Sequence, residues 1–266
     1  MNKLTKVALV GIVMLGFAAP AYASHSWGNY HWARAANPFT LKLGDAVTPA
    51  WDQYLAEASA DWTASSVLNT TIVPSTVNPR TCKATAGRIE VCNSKYGNNG
   101  WLGIATIWAD GNAHITRATT KLNDSYFNTP TYNTPAWRRL VTCQEIAHDF
   151  GLDHQDEAFA NVNLGTCMDY TNDPDGGGAY GPSNEHPNAH DYEQLVTMYT
   201  HTDSYTTVNA LAAQIRAMAK TLVVVDDQDD DLGEAVGHDE HGNPNKFVKT
   251  YGNGTTKLTH VFWLPE

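Results

Sequence analysis

Apolar positions recur at helical spacing in three stretches of the chain. Trp51, Tyr54, Leu55, Ala58 and Trp62 fall three or four residues apart, which gathers them on one side of a helix running to about residue 63. Thr48-Pro49 stands ahead of it, threonine being able to cap free amides and proline suiting a first turn. The same signature recurs at Thr134-Pro135, before Trp137, Leu140 and Val141. This second helix is predicted to end near Phe150, where Gly151 can adopt the left-handed conformation. A third spans Ala189 to Tyr199, with Leu195, Val196 and Tyr199 on one side.

Other segments alternate or run apolar in strand fashion: Val67 to Val73, Arg88 to Val91, Trp101 to Ala109 and Ala113 to Leu122. The last two are joined across Asp110-Gly111-Asn112, residues that take turn conformations readily. Asn123 to Asn133 reads as loop, and Phe247 to Trp263 as a hairpin across Gly252-Asn253-Gly254. Helix, strands, helix, loop and helix in that order define an α+β chain. The character changes near Thr202. Val208 to Ala219 suggests a short helix, and Asp226 to Asp231 an acidic linker; as a calcium loop the cluster is weak, because Leu232 stands where an EF-hand needs glycine.

The longest apolar run, Val7 to Ala19, has 13 residues, too short to span a bilayer. Lys3 and Lys6 precede it and Ala21-Tyr22-Ala23 follows, the order of a secretory signal cut after Ala23. The expected division is therefore 1–23 signal peptide, 24–201 main domain, and 202–266 acidic linker with a small C-terminal extension. The expected location is secreted or periplasmic. With 17 basic against 28 acidic residues among 266, a net charge of −11 excludes a surface built to coat nucleic acid. Four cysteines suit an oxidising compartment and allow three pairings. The short segment between Cys82 and Cys92 closes cheaply, which favours that bridge and leaves Cys143 with Cys167.

The chemistry concentrates in Gln144-Glu145-Ile146-Ala147-His148-Asp149-Phe150-Gly151-Leu152-Asp153-His154. Residues four apart share a helix face, so Gln144 and His148 continue the stripe of Trp137, Leu140 and Val141, with Glu145 about 100° round. A buried amide and a buried imidazole each need hydrogen bonds or a metal. A bend at Gly151 would return His154 towards them, giving three potential ligands and a fourth position for water.

These residues resemble the metzincin family of zinc endopeptidases, whose motif is HExxHxxGxxH followed by a methionine-containing turn. Here the motif reads QExxHxxGxxH, and Gly165-Thr166-Cys167-Met168-Asp169-Tyr170 is similar to the turn. The resemblance covers roughly Phe39 to Thr200, its closest matches lying within 144–170. It implies a metzincin-like domain with a twisted, mostly parallel sheet, an active-site helix and a C-terminal helix. It further implies His148 and His154 as metal ligands, Glu145 as general base in hydrolysis by metal-activated water, Met168 as an apolar floor, and Tyr170 as a catalytic residue near the metal or the oxyanion. Asp191 would be structural, and Pro174 to Pro182 a wall of the specificity pocket.

The departure is Gln144, where the family has histidine. A carboxamide oxygen is a harder donor than imidazole nitrogen, so Gln144 is expected to ligate zinc less tightly, with copper as the alternative ion. Otherwise His114, His186 or His190 supplies the third donor, or the chain is a non-catalytic pseudo-peptidase or secreted binding protein on the same scaffold. A Cys143–Cys167 bond, flanking Gln144 and Met168, would staple the helix to the turn. His25, near the expected cleavage site, would act as a copper ligand only if processing made it the N-terminus. The expected protein is a monomeric secreted endopeptidase acting on extracellular protein or peptide, with no nucleic-acid partner and no membrane span.

Overall fold

The computed structural model describes residues 24–208 and 231–265. The signal-like segment 1–23, all but the first residue of the Val208 to Ala219 helix, and the acidic cluster ahead of Asp231 lie outside the described residues.

Three helices match the amphipathic stretches. They are α1 (Asp52–Thr63), α3 (Pro135–His148) and α4 (Ala189–Met198), with a single turn, α2 (Asp124–Phe127), inside the segment read as loop. The extra turn forms because the Asn123 side chain accepts from Ser125 N, a local cap. Thr134 caps α3 as expected, accepting from Trp137 N. Thr48 does not cap α1: its hydroxyl accepts from Asn93 Nδ2, residues 48–51 close as a turn, and the helix starts after Trp51. In α4, Leu195 and Tyr199 are buried and one turn apart, whereas Val196 is exposed, about 100° away round the helix.

The strands form one sheet. β1 (His31–Trp32), β2 (Phe39–Ala46), β3 (Leu68–Pro74), β4 (Ile89–Ser94), β5 (Trp101–Ala109), β6 (His114–Asn123), β7 (Glu234–His238), β8 (Pro244–Thr250) and β9 (Thr256–Trp263) run in the order β3-β2-β4-β6-β5-β9-β8-β7, with β1 also on β6. Pairs among β1 to β4 and β6 are parallel; every pair involving β5, β7, β8 or β9 is antiparallel. The sheet is therefore mixed rather than mostly parallel. The physical reason is that three tight hairpins, β5-β6, β7-β8 and β8-β9, can join only antiparallel neighbours. Strands from the 202–266 segment, expected as a linker and small extension, continue this sheet along the β5 edge.

Helix α3 lies on the sheet with Leu140, Val141, Ile146 and Ala147 fully buried. Trp62 of α1 fills the neighbouring space and donates from Nε1 to Cys143 O. Both disulfides, Cys82–Cys92 and Cys143–Cys167, are formed. No helix among the described residues is long and apolar enough to cross a membrane.

Candidate metal centre

Helix α3 ends on His148, and the chain turns at Gly151, whose φ of 97° few other residues hold comfortably. A Cβ there would also meet the carbonyl of Tyr30. This bend brings His154 back, so that its Nε2 lies 3.0 Å from His148 Nε2. The sequence expectation that these two imidazoles converge is thus realised geometrically.

The tautomers follow from what the other nitrogens touch. His148 Nδ1 lies 2.9 Å from Leu152 O, which can only accept, and His154 Nδ1 lies 2.7 Å from Glu157 Oε1. Burial would raise the Glu157 carboxyl, but His154 and Lys246 outweigh it and hold the group at about 2, so it is an acceptor. With both rings neutral, each carries its proton on Nδ1 and turns an Nε2 lone pair towards the other. Burial, and then the neighbouring His154, push His148 well below its usual range. Two facing lone pairs with no proton between them repel, and a cation between them removes the repulsion. Carboxylate and carbonyl partners on the far nitrogens are the usual outer support of metal-ligating histidines.

A third imidazole joins them from an unexpected direction. His260 on β9 is fully buried, and one ligand atom from each of His148, His154 and His260 lies within 4.8 Å of the others. Its Nε2 is 2.8 Å from the Tyr170 hydroxyl, and its Nδ1 is 3.4 Å from Glu145 Oε2. Burial, then His148 and His154, hold His260 well below the ordinary imidazole range. Its signal was present in the sequence: Leu258, His260 and Phe262 share one face of a strand, so a histidine occupies a core position on an otherwise apolar face.

Gln144 is also fully buried. Its Nε2 donates to Cys167 O at 2.7 Å, across the disulfide, while Oε1 is buried without a hydrogen-bond partner. The other histidines considered as substitutes lie elsewhere. His114 meets His31 and Asp203, His186 meets Asp61, and the His190 ring packs beside His25. His25 itself is buried, 2.9 Å through Nδ1 from Asp153 O; it does not belong to the imidazole cluster.

Glu145 sits where α3 crosses β5. Gly103 makes the crossing possible, since a Cβ there would stand 2.7 Å from Glu145 Cγ and from Val141 Cγ1. Burial, then the nearby Asp149, push the Glu145 carboxyl well above its usual range, with the Ala105 amide opposing. Tyr170 is buried against Phe159, ring centroids 4.7 Å apart and stacked, and its hydroxyl accepts from Asn245 Nδ2. Met168 is buried in the core beside it. Asp191 serves as a structural hub, completing the α4 capping box with Asn188 and accepting from Thr166 and Gln155. The Trp27 ring stacks on His148, centroids 5.0 Å apart and 7° from parallel. A surface groove between Trp27 and Tyr30 on one side and Lys246, Val248 and Leu258 on the other reaches Asp153. There Lys246 bridges Asp153 and Glu157.

No protein-family model and no curated protein matches the chain. Among solved structures, one described as the structure of myroilysin is 12% identical, covering 64% of this chain and 97% of its own, with a TM-score of 0.37. Another, high choriolytic enzyme 1, described as a hatching-enzyme zinc-protease from Oryzias latipes (medaka fish), is 10% identical, covering 64% of this chain and 94% of its own, with a TM-score of 0.36. Neither likeness is close enough to carry an argument, so the functional reading rests on the residues of the site.

Proposed function

We propose that this chain is a secreted, metal-dependent endopeptidase of metzincin type that hydrolyses extracellular protein or peptide as a monomer. The observation that carries the proposal is the approach of His148 Nε2 and His154 Nε2 to 3.0 Å, with Glu145 adjoining the cluster through His260. Zinc fits this donor set. His148 and His154 hold it with His260 as third donor, and Gln144 Oε1 is the competing donor. Imidazoles suit copper as well, and nothing else in the site favours that ion over zinc.

When bound, the ion supplies Lewis-acid polarisation and acidifies water. Glu145 takes the proton during attack and passes it to the leaving amine; a carboxyl raised by burial is a stronger base for that task. Tyr170, through its hydroxyl at 2.8 Å, orients His260; a catalytic contact to the oxyanion requires that bond to open. Two disulfides support an extracellular location.

A second reading is a non-catalytic metal-binding protein on the same scaffold. Its support is the closure of the site, because Glu145, His148 and His260 are all 0% exposed. Assays of casein and a mixed peptide library decide between them. The enzyme reading expects cleavage that chelation and Glu145→Gln both abolish. Metal-loaded protein that cuts none of these substrates sinks it and leaves the binding protein.

A further inference from the structure

A second cluster of imidazoles draws on three distant parts of the chain: the stretch before the first long strand, the start of β6, and the segment after α4. His31 and His114 are register partners in the parallel β1-β6 pair. The segment after α4 brings His201 and Asp203 to them, Asp203 N donating to Arg34 O. We propose that His31, His114 and Asp203, whose ligand atoms lie within 4.8 Å of one another, hold a zinc-type divalent cation at a structural site separate from the candidate catalytic centre, with His201 beside them as the donor that can close it.

The distances fit one ion. Four tetrahedral donors, each about 2.0 Å from zinc, stand about 3.3 Å from one another. Here His31 Nε2 is 3.1 Å from His201 Nε2. His114 Nε2 is 3.3 Å from Asp203 Oδ1, His31 Nε2 is 3.6 Å from Asp203 Oδ2, and His201 Nε2 is 3.7 Å from Asp203 Oδ1. Two imidazoles and one carboxylate converge, and a third imidazole borders them through His31, a donor set that suits zinc.

The far sides of the rings are committed as supported metal ligands require. His31 Nδ1 is 2.6 Å from Asn29 O, so that nitrogen carries the proton. Tyr205 donates to Asp110 Oδ2 at 3.2 Å, so its oxygen accepts from His114 Nδ1. His31 thus turns its Nε2 inward as a lone pair, and His114 Nε2 faces a carboxylate oxygen, where a cation can replace a proton. Arg34 occupies Asp203 Oδ2 at 2.9 Å, and its other arm reaches His201 O, fixing the loop and leaving Oδ1 for the cluster.

Such a site would tie the N-terminal segment and the post-α4 segment to the sheet. The next residue along, Trp32, donates from Nε1 to Asp149 O, directly after His148. The clamp therefore bears on the end of the catalytic helix.

Metal analysis of the full chain, purified without chelator, with cobalt titration read by visible absorption, tests the proposal. Two equivalents are expected in the wild type. One should survive in His148→Gln/His260→Gln and disappear on adding Asp203→Asn. His201 has its side chain 53% exposed, so His201→Gln leaves the core intact; it should weaken the second equivalent at least tenfold while circular dichroism is unchanged. A wild type that takes a single equivalent, lost with His148, overturns the proposal, as does a second equivalent indifferent to both His201→Gln and Asp203→Asn. Because the readout is stoichiometry and not proteolysis, failure here leaves the peptidase reading untouched.

Discussion

His260 Nδ1 lies 3.4 Å from Glu145 Oε2 although 115 residues separate them. The contact exists because β9 lies along the edge of β5, and α3 crosses the same strand at Gly103. A C-terminal strand thus completes a cluster whose other members sit within one helix and its following bend.

Replacement of the third donor separates the two candidates. His260→Ala is expected to lower metal affinity by at least about tenfold, the scale of losing support or ligand at such centres. Gln144→Ala should leave affinity within about threefold, and Gln144→His should not raise it. Zinc titration with a competing chelator measures all three. The reverse ranking would make the carboxamide the ligand.

Glu145→Gln keeps the shape of the side chain but removes the base. Metal content should stay at the wild-type value while peptide hydrolysis falls by about 10² to 10⁴, the usual worth of general base catalysis. Atomic absorption and a fluorogenic peptide assay on one preparation check the pair of outcomes.

Gly103→Ala tests the packing beneath Glu145. The added methyl would press on Glu145 Cγ and Val141 Cγ1 at 2.7 Å, so α3 must shift. Overpacking of this kind costs about 1–3 kcal/mol. A lowered urea midpoint, with activity reduced beyond what folded fraction explains, is the expected result.

Asp169 provides a pH signature. Burial raises its carboxyl to about 7, against bonds from Leu164 N and Asn184 Nδ2 that lower it. Unfolded, the group titrates near 4. The protonated form is thus favoured in the fold, and its contribution is intact below about pH 4 and lost as pH rises to about 7. In Asp169→Asn the carboxamide can keep an acceptor oxygen towards both donors without titrating, so the variant should flatten that part of the stability curve. Urea melts from pH 4 to 8 of both proteins make the comparison.

Removing the Cys143–Cys167 bond by Cys143→Ala/Cys167→Ala should cost about 2–5 kcal/mol, the usual loss for a native bridge. The bond spans 24 residues and joins α3 to the turn that carries Met168, so metal affinity should fall with stability. Thermal unfolding and zinc titration report the two effects.

Much of this protein was written locally. Helical spacing with Thr134-Pro135 predicted α3, the apolar runs joined by a turn predicted β5 and β6, and the spacing of His148, Gly151 and His154 predicted the return of His154, because these depend on residues a few positions apart. Local chemistry misled where a distant partner intervened: Asn93 takes the Thr48 hydroxyl that was expected to cap α1.

What only the tertiary structure decided was the pairing of distant segments. The antiparallel ladder of β9 on β5 carries His260 to His148, and the β1-β6 register sets His31 beside His114. Periodicity says which residues share a face of a strand, but the neighbour of that face depends on sheet order. Sheet order is settled by burial summed over the whole chain, so the third imidazole could be seen as a polar residue on a core face while its partners could not be named.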